Sequence, residues 1–274
     1  ELWCHSYTQT IRHLNGVDWS TEAHRIHVAR CVQSCDMGEE FEDRDLSESV
    51  FWGVNLEKST FRDTVLNGST FFHTEWTDVS IDGTIERLVI NGVDVTEHVN
   101  ANDRWYPLRT QLFPGTVEGM RNTWSTLCDE WEALFSRVAA ADTAVTNTSV
   151  NGEWSLRDTV RHLLFAMDKW FTWPVMGGRT FAAAGLPNTG SQGLEWPGID
   201  MTLDHDWNDV IEQRRNKADA FSAHLASLDI SAIPETADVM ENGEVPGIMC
   251  YHVVFEEEFE HLRYALRDLA ALGL

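Results

Sequence analysis

From Phe41 to Ile81 every fifth residue is large and apolar: Phe41, Leu46, Phe51, Leu56, Phe61, Leu66, Phe71, Trp76 and Ile81. Two positions before seven of them stand Ser49, Val54, Ser59, Thr64, Ser69, Thr74 and Val79, all small or β-branched. A period of five matches neither the 3.6 of an amphipathic helix nor the 2.0 of a flat strand. It matches a chain that turns a corner every five residues and points one large and one small side chain inward per face. Such a chain buries a core only by stacking coils, so a short one needs its ends covered. Residues 1–40 are expected to form one cap, with a helix near Ser20 to Gln33 begun by Ser20 and followed by Glu22.

Past Pro107, Pro114 and Gly115 the periodicity becomes helical, which predicts a domain boundary near residue 110. The first helix is expected over 117–141, with Trp124, Leu127, Cys128, Trp131, Leu134 and Val138 on one stripe. A second begins at Ser155, paired with Asp158 as in a capping box, and reaches about Trp173 before Pro174. A third spans 206–228 and a fourth 246–271. Four helices of this length make a bundle, and the Gly-, Pro- and Asn-rich connection of about thirty residues between the second and third suits a crossover. The fold class is therefore α+β in two domains, 1–110 with the repeats at about 39–83, and 111–274 as a four-helix bundle.

Charge limits the partners. Twenty Lys and Arg against 44 Asp and Glu leave a net charge of −24, which disfavours nucleic acid and anionic membrane surfaces. No apolar run approaches the ~18 residues of a membrane span, and the expected compartment is the cytoplasm. Five cysteines, an odd count, read as reduced thiols. Cys31 and Cys35, with His24 and His27 nearby, lack the spacing of a standard zinc knuckle and read as ordinary buried cysteines.

The fourth helical segment contains EEEFEHLRY, in which Glu257 and His261 lie four apart and project from one face. A carboxylate and an imidazole at that spacing can chelate one divalent ion, although on a Glu-rich helix they also form solvated pairs. A glutamate on a stripe shared with Cys250, Val254, Tyr264 and Asp268 is costly to bury unpaired, and a metal would remove that cost. His162, in LRDTVRHLLF, lies between apolar residues and is the third candidate ligand, with Asp158 one turn earlier to orient it. His162 also suits a hydrogen-bonded core histidine. His252, five residues before Glu257, is turned off the ligand face and reads as packing, and His5 and His13 join no ligand set. Trp154, Trp170 and Trp173 are candidates for a cavity mouth.

Two resemblances add to these readings. The period-five stretch resembles the pentapeptide-repeat family, which implies a short right-handed quadrilateral β-helix of a little over two coils. EWSLRDTVRHLLFAMDKW followed by HVVFEEEFEHLRYALRDL resembles the DinB family in its actinobacterial form, over about Val117 to Leu274. That superfamily includes mycothiol-dependent maleylpyruvate isomerase and bacillithiol-type transferases. The resemblance implies a DinB-like four-helix bundle with a divalent metal between helices, held here by His162, Glu257 and His261. Many members have three histidines, and the isomerase branch has the His, Glu, His set found here. Zinc is the first expectation, with nickel, iron or manganese as alternatives. The implied chemistry is activation of a small-molecule thiol, mycothiol being the obvious guess, toward an electrophile. Tyr264, Arg263 and Arg161 are candidate helpers, and the family's habit allows a homodimer. Competing expectations are a non-catalytic interaction protein with the β-helix as recognition surface, and an acidic DNA mimic that binds a topoisomerase. Arg44, Lys58 and Arg62 among the acidic residues of the repeats weaken mimicry.

Overall fold

The computed structural model describes residues 39–41, 44–61, 64–141 and 143–274. The expected capping helix at 20–33 and its histidines and cysteines lie outside the described residues. The chain divides into two compact units, Glu1–Thr77 and Asp78–Leu274.

In the first unit the backbone itself repeats every five residues. φ is positive at Glu48, Gly53, Lys58, Gly68 and His73, with position 63 outside the description. Ser49, Ser59 and Ser69 donate their backbone N–H groups to the carbonyls of Leu46, Leu56 and Leu66 at 3.2, 3.1 and 3.0 Å. A positive φ confined to the third residue of such a turn is the type II geometry. The unit contains no strand among the described residues. Its large period-five side chains are not enclosed: Leu56 is 47% exposed and Phe51 60%, although Trp52 between repeats reaches 91%.

The second unit starts earlier than the expected boundary near residue 110. A hairpin of β1 (Val89–Ile90) and β2 (Val93–Asp94) leads into α1 (Thr96–Asn102) and the short α2 (Tyr106–Arg109). Arg109, only 8% exposed, pairs with Asp82 at 3.2 Å and Asp103 at 3.6 Å and approaches Glu260 to 3.9 Å. Trp105 stands edge-on to Phe259. These contacts, distant in sequence, join residues 78–110 to the helices, so Pro107, in the first turn of α2, and Pro114 both lie within one unit.

Four long helices follow: α3 (Val117–Ala139), α4 (Leu156–Met167), α5 (Trp207–Ser227) and α6 (Met249–Ala271). Thr116, Ser155 and Asp206 cap the first three by accepting from backbone N–H groups of the first turn. Before α6, a hairpin of β3 (Thr236–Asp238) and β4 (Glu244–Pro246) ends at Gly247, where a Cβ would come 2.2 Å from the Pro234 carbonyl oxygen. Only glycine permits that approach.

Each helix packs closely on two others, in the cyclic order α3, α5, α4, α6. Trp124 reaches Ser222 and Arg215 reaches Glu132, so α3 and α5 are antiparallel. Arg157 meets Asp204 and Asp168 meets Lys217, so α4 and α5 run parallel. The contacts of Trp124 with Phe255 and of Trp131 with the Glu258 carbonyl make α3 and α6 parallel as well. The topology is up, down, down, up, and the connection 173–206 is a true crossover. The α3 stripe is buried as expected except for Cys128, which is half-buried. It packs with Leu156, Val160, Leu163 and Leu164 of α4 and Leu262, Ala265 and Leu269 of α6. No helix among the described residues is long and apolar enough to cross a membrane.

Candidate metal centre

The run EEEFE distributes its carboxylates around α6. Glu258 turns to α5, where Arg214 donates to it at 2.6 Å, with both side chains almost fully buried. Glu260 accepts from Arg263 at 2.8 Å. Glu257 faces α4. The helical period thus sends adjacent residues to different neighbours.

Facing α4, Glu257 meets His162 and His261, all three buried. One donor atom from each lies within 4.8 Å of the others, and this is the one such group of His, Cys, Asp and Glu among the described residues. The Glu257 carboxylate oxygen Oε2 is 3.4 Å from His162 Nε2 and 3.4 Å from His261 Nδ1. The two imidazole rings are 4.9 Å apart, and Trp154 lies over them at 4.8 and 6.4 Å.

The hydrogen bonds assign the tautomers. His162 Nδ1 is 3.0 Å from the Leu186 carbonyl oxygen, and His261 Nδ1 is 2.9 Å from that of Glu257. A carbonyl only accepts, so each Nδ1 carries the proton and each Nε2 is left with its lone pair. His162 Nε2 and Glu257 Oε2 are both buried without a hydrogen-bond partner. Two electron-rich atoms therefore face one another in a dry site, an arrangement a cation would satisfy. Burial pushes His261 down to about 4, His162 adding to the fall and Glu257 partly opposing it.

The structure places the other candidates differently. Asp158 accepts from Ser155 Oγ at 2.7 Å and from Arg161 Nη1 at 3.3 Å, while the partner of His162 is the Leu186 carbonyl of the crossover. Arg161 is buried and donates through Nε to the Ala184 carbonyl at 3.0 Å, so it holds the crossover rather than facing an open site. Arg263 is turned to Glu260 and Asp82. Tyr264 stands edge-on to His261 with 6.4 Å between ring centres. His252 contacts the Pro114 carbonyl at 3.1 Å, in keeping with a packing role. Trp170 and Trp173 sit farther along, with Lys169 and Phe181 respectively.

Sequence reasoning missed Leu186, whose functional atom is a backbone carbonyl without a residue signature. It also missed Lys169, on the π-helical turn Asp168–Thr172 that extends α4. Lys169 is 1% exposed, bonded to Glu241 at 2.6 Å and lodged among the rings of Phe165, Trp170 and Trp196. Its position seven residues after His162, on the same stripe, was the available signal.

Comparison with curated proteins and with solved structures gives no significant match. The DinB superfamily model matches residues 126–265, a span that opens in α3 and closes in α6 beyond His261. It takes in the crossover, all three buried donors and half of the chain, and on that ground the chain belongs to the DinB superfamily.

Proposed function

We propose that this protein is a divalent-metal-dependent thiol transferase of the DinB type. The observation that supports it is the pair of buried, unpartnered atoms His162 Nε2 and Glu257 Oε2 beside His261. His162, Glu257 and His261 would hold the ion, with zinc the first choice for this N and O donor set and nickel, iron or manganese the alternatives. A divalent ion bound there lowers the pKa of a thiol and makes it nucleophilic near neutral pH.

The chain's own groups prepare that site. The Leu186 carbonyl holds the His162 proton on Nδ1. Trp154 covers both imidazoles and limits the approach of water. Burial pushes the thiols of Cys128 and Cys250 up to about 12, so neither supplies a thiolate at neutral pH. The proposed nucleophile is a low-molecular-weight thiol of the mycothiol type. Protein purified without chelators or a metal-binding tag is expected to carry about one zinc-like ion per chain, and a His162→Ala/His261→Ala variant none, by elemental analysis. A metal-free parent after reconstitution would defeat the reading.

The period-five stretch is assigned to a short right-handed quadrilateral β-helix of the pentapeptide-repeat type. Support comes from the positive φ at every described fifth position and the type II turns at Leu46, Leu56 and Leu66. In that arrangement Gly68→Val, which puts a β-branched residue at φ +74°, should cost about 1–3 kcal/mol. Lys58→Gly, at φ +62° in the equivalent turn, should be nearly neutral. Thermal melts of the full chain followed by circular dichroism decide it, since equal melts for Gly68→Val and the parent would refute a repeat-built fold.

The exposure of Trp52 at 91% and Phe72 at 79%, twenty residues apart, favours a second reading in which this region is a recognition surface and the bundle its support. Thiol-transfer activity with a panel of electrophiles supports the enzyme, and its absence in metal-loaded protein supports the surface.

A further inference from the structure

The crossover is fastened along α4 by a short series of bonds. Asp168 accepts the N–H of Ala182 through Oδ2 at 2.7 Å. Arg161 Nε donates to the Ala184 carbonyl at 3.0 Å, and the Arg161 carbonyl accepts the N–H of Leu186 at 3.0 Å. Gly185 N–H closes a turn onto the Ala182 carbonyl at 2.9 Å. The Leu186 carbonyl, fixed by these contacts, then accepts the proton of His162 Nδ1 at 3.0 Å. Ala184, Leu186, Arg161 and His162 are all buried, so water does not replace any of these partners cheaply.

We infer that Arg161 is a positioning residue for the metal centre: by clamping the crossover at Ala184 it holds the Leu186 carbonyl where it fixes His162 in the Nδ1–H tautomer, leaving Nε2 free to bind metal. Arg161 touches neither Glu257 nor His261 in any contact the structure shows. Its side chain acts at two removes, through Ala184 and then Leu186, while its backbone carbonyl holds the Leu186 N–H directly and is retained in a side-chain variant. Asp158 acts one step further back: its Oδ1 accepts from Arg161 Nη1, and its Oδ2 accepts from the hydroxyl of Ser155, the residue that caps α4. Asp158 thus bears on His162 through the crossover and not through a direct bond.

The chemistry of imidazole makes this matter. In the neutral ring one nitrogen donates and the other accepts, and the bond made by one sets the state of the other. If the Leu186 carbonyl moves, the proton is free to shift to Nε2, which then cannot ligate. Partners of this kind are typically worth 10–100-fold in metal affinity.

The consequence for affinity rests on the proposed metal site, whereas the tautomer does not. The test uses the full chain, 15N-labelled at histidine and stripped of metal, with two-bond proton–nitrogen correlation spectra of the imidazoles and zinc affinity by competition with a chromophoric chelator. The parent should show the Nδ1–H pattern at His162. Arg161→Met should shift it toward Nε2–H and lower zinc affinity about tenfold, while His252, bonded to the Pro114 carbonyl, keeps its pattern as a control for folding. Asp158→Asn, at a position 30% exposed that leaves the Ser155 cap in place, should give a smaller shift of the same sign and decides the matter if Arg161→Met does not fold. Nε2–H in the parent, or an unchanged His162 pattern or affinity in a folded variant, would overturn the inference. A parent that binds no zinc sinks the metal-site reading alone, and the His162 tautomer then decides this inference by itself.

Discussion

Replacing Arg214 with methionine is expected to destabilise the bundle by about 3–5 kcal/mol near neutral pH, the range for removing one partner of a buried ion pair. Arg214 and Glu258 are 3% and 1% exposed, and the guanidinium lies over the Trp124 ring. The variant leaves the Glu258 carboxylate buried with nothing to balance it. Burial already raises this carboxyl, with Arg214 opposing, so without Arg214 it should bind a proton in the folded state. A carboxyl whose folded pKa lies above its unfolded value weakens folding as pH rises, so the deficit should be larger at pH 8 than at pH 5.5. The double variant Arg214→Met/Glu258→Leu should recover most of the loss. Urea unfolding of the three proteins at both pH values tests this, and a single-variant deficit below about 1 kcal/mol would show that the pair is solvated in solution.

The second large effect concerns acid and the metal-free protein. His261 is held down to about 4, first by burial and then by His162, against an ordinary value near 6.5. Above pH 6.5 both folded and unfolded states carry it neutral and stability is insensitive to it. As pH falls from 6.5 toward 4 the unfolded chain binds the proton and the folded chain does not, so stability is lost, by about 3 kcal/mol over the window. Burial lowers His224 and His252 as well, and they add in the same direction. Subtracting the same profile for His261→Gln isolates the contribution, and parallel profiles would show that His261 is not desolvated.

Much of the bundle was legible because it obeys local periods. The four helix ranges, the crossover and the convergence of Glu257 and His261 all follow from spacing within one segment. The parts that were not legible depend on contacts between segments. Asp158 reads as a partner of His162 because it lies one turn away, yet the imidazole bonds to a carbonyl more than twenty residues later. The ties between residues 78–110 and the helices were not legible, because Arg109, Asp82 and Glu260 meet only in the folded state. The repeats show the reverse case, since spacing alone foretold the period of the backbone but not the exposure of the large side chains.

The order of the helices bears on how the bundle can form. Helices adjacent in the chain never make a close antiparallel pair: α3 and α4 lie diagonally, α4 and α5 are parallel, and α5 and α6 are diagonal again. Among the described residues every close backbone pairing of the long helices therefore requires a long loop to close first, and α5 and α6 meet antiparallel only through side chains across the core, as Arg214 and Glu258 do. The folding rate should resemble that of mixed folds with distant pairings more than that of simple up-and-down bundles. A chain assembled this way gains little from partial structure, and its helices should appear and vanish together.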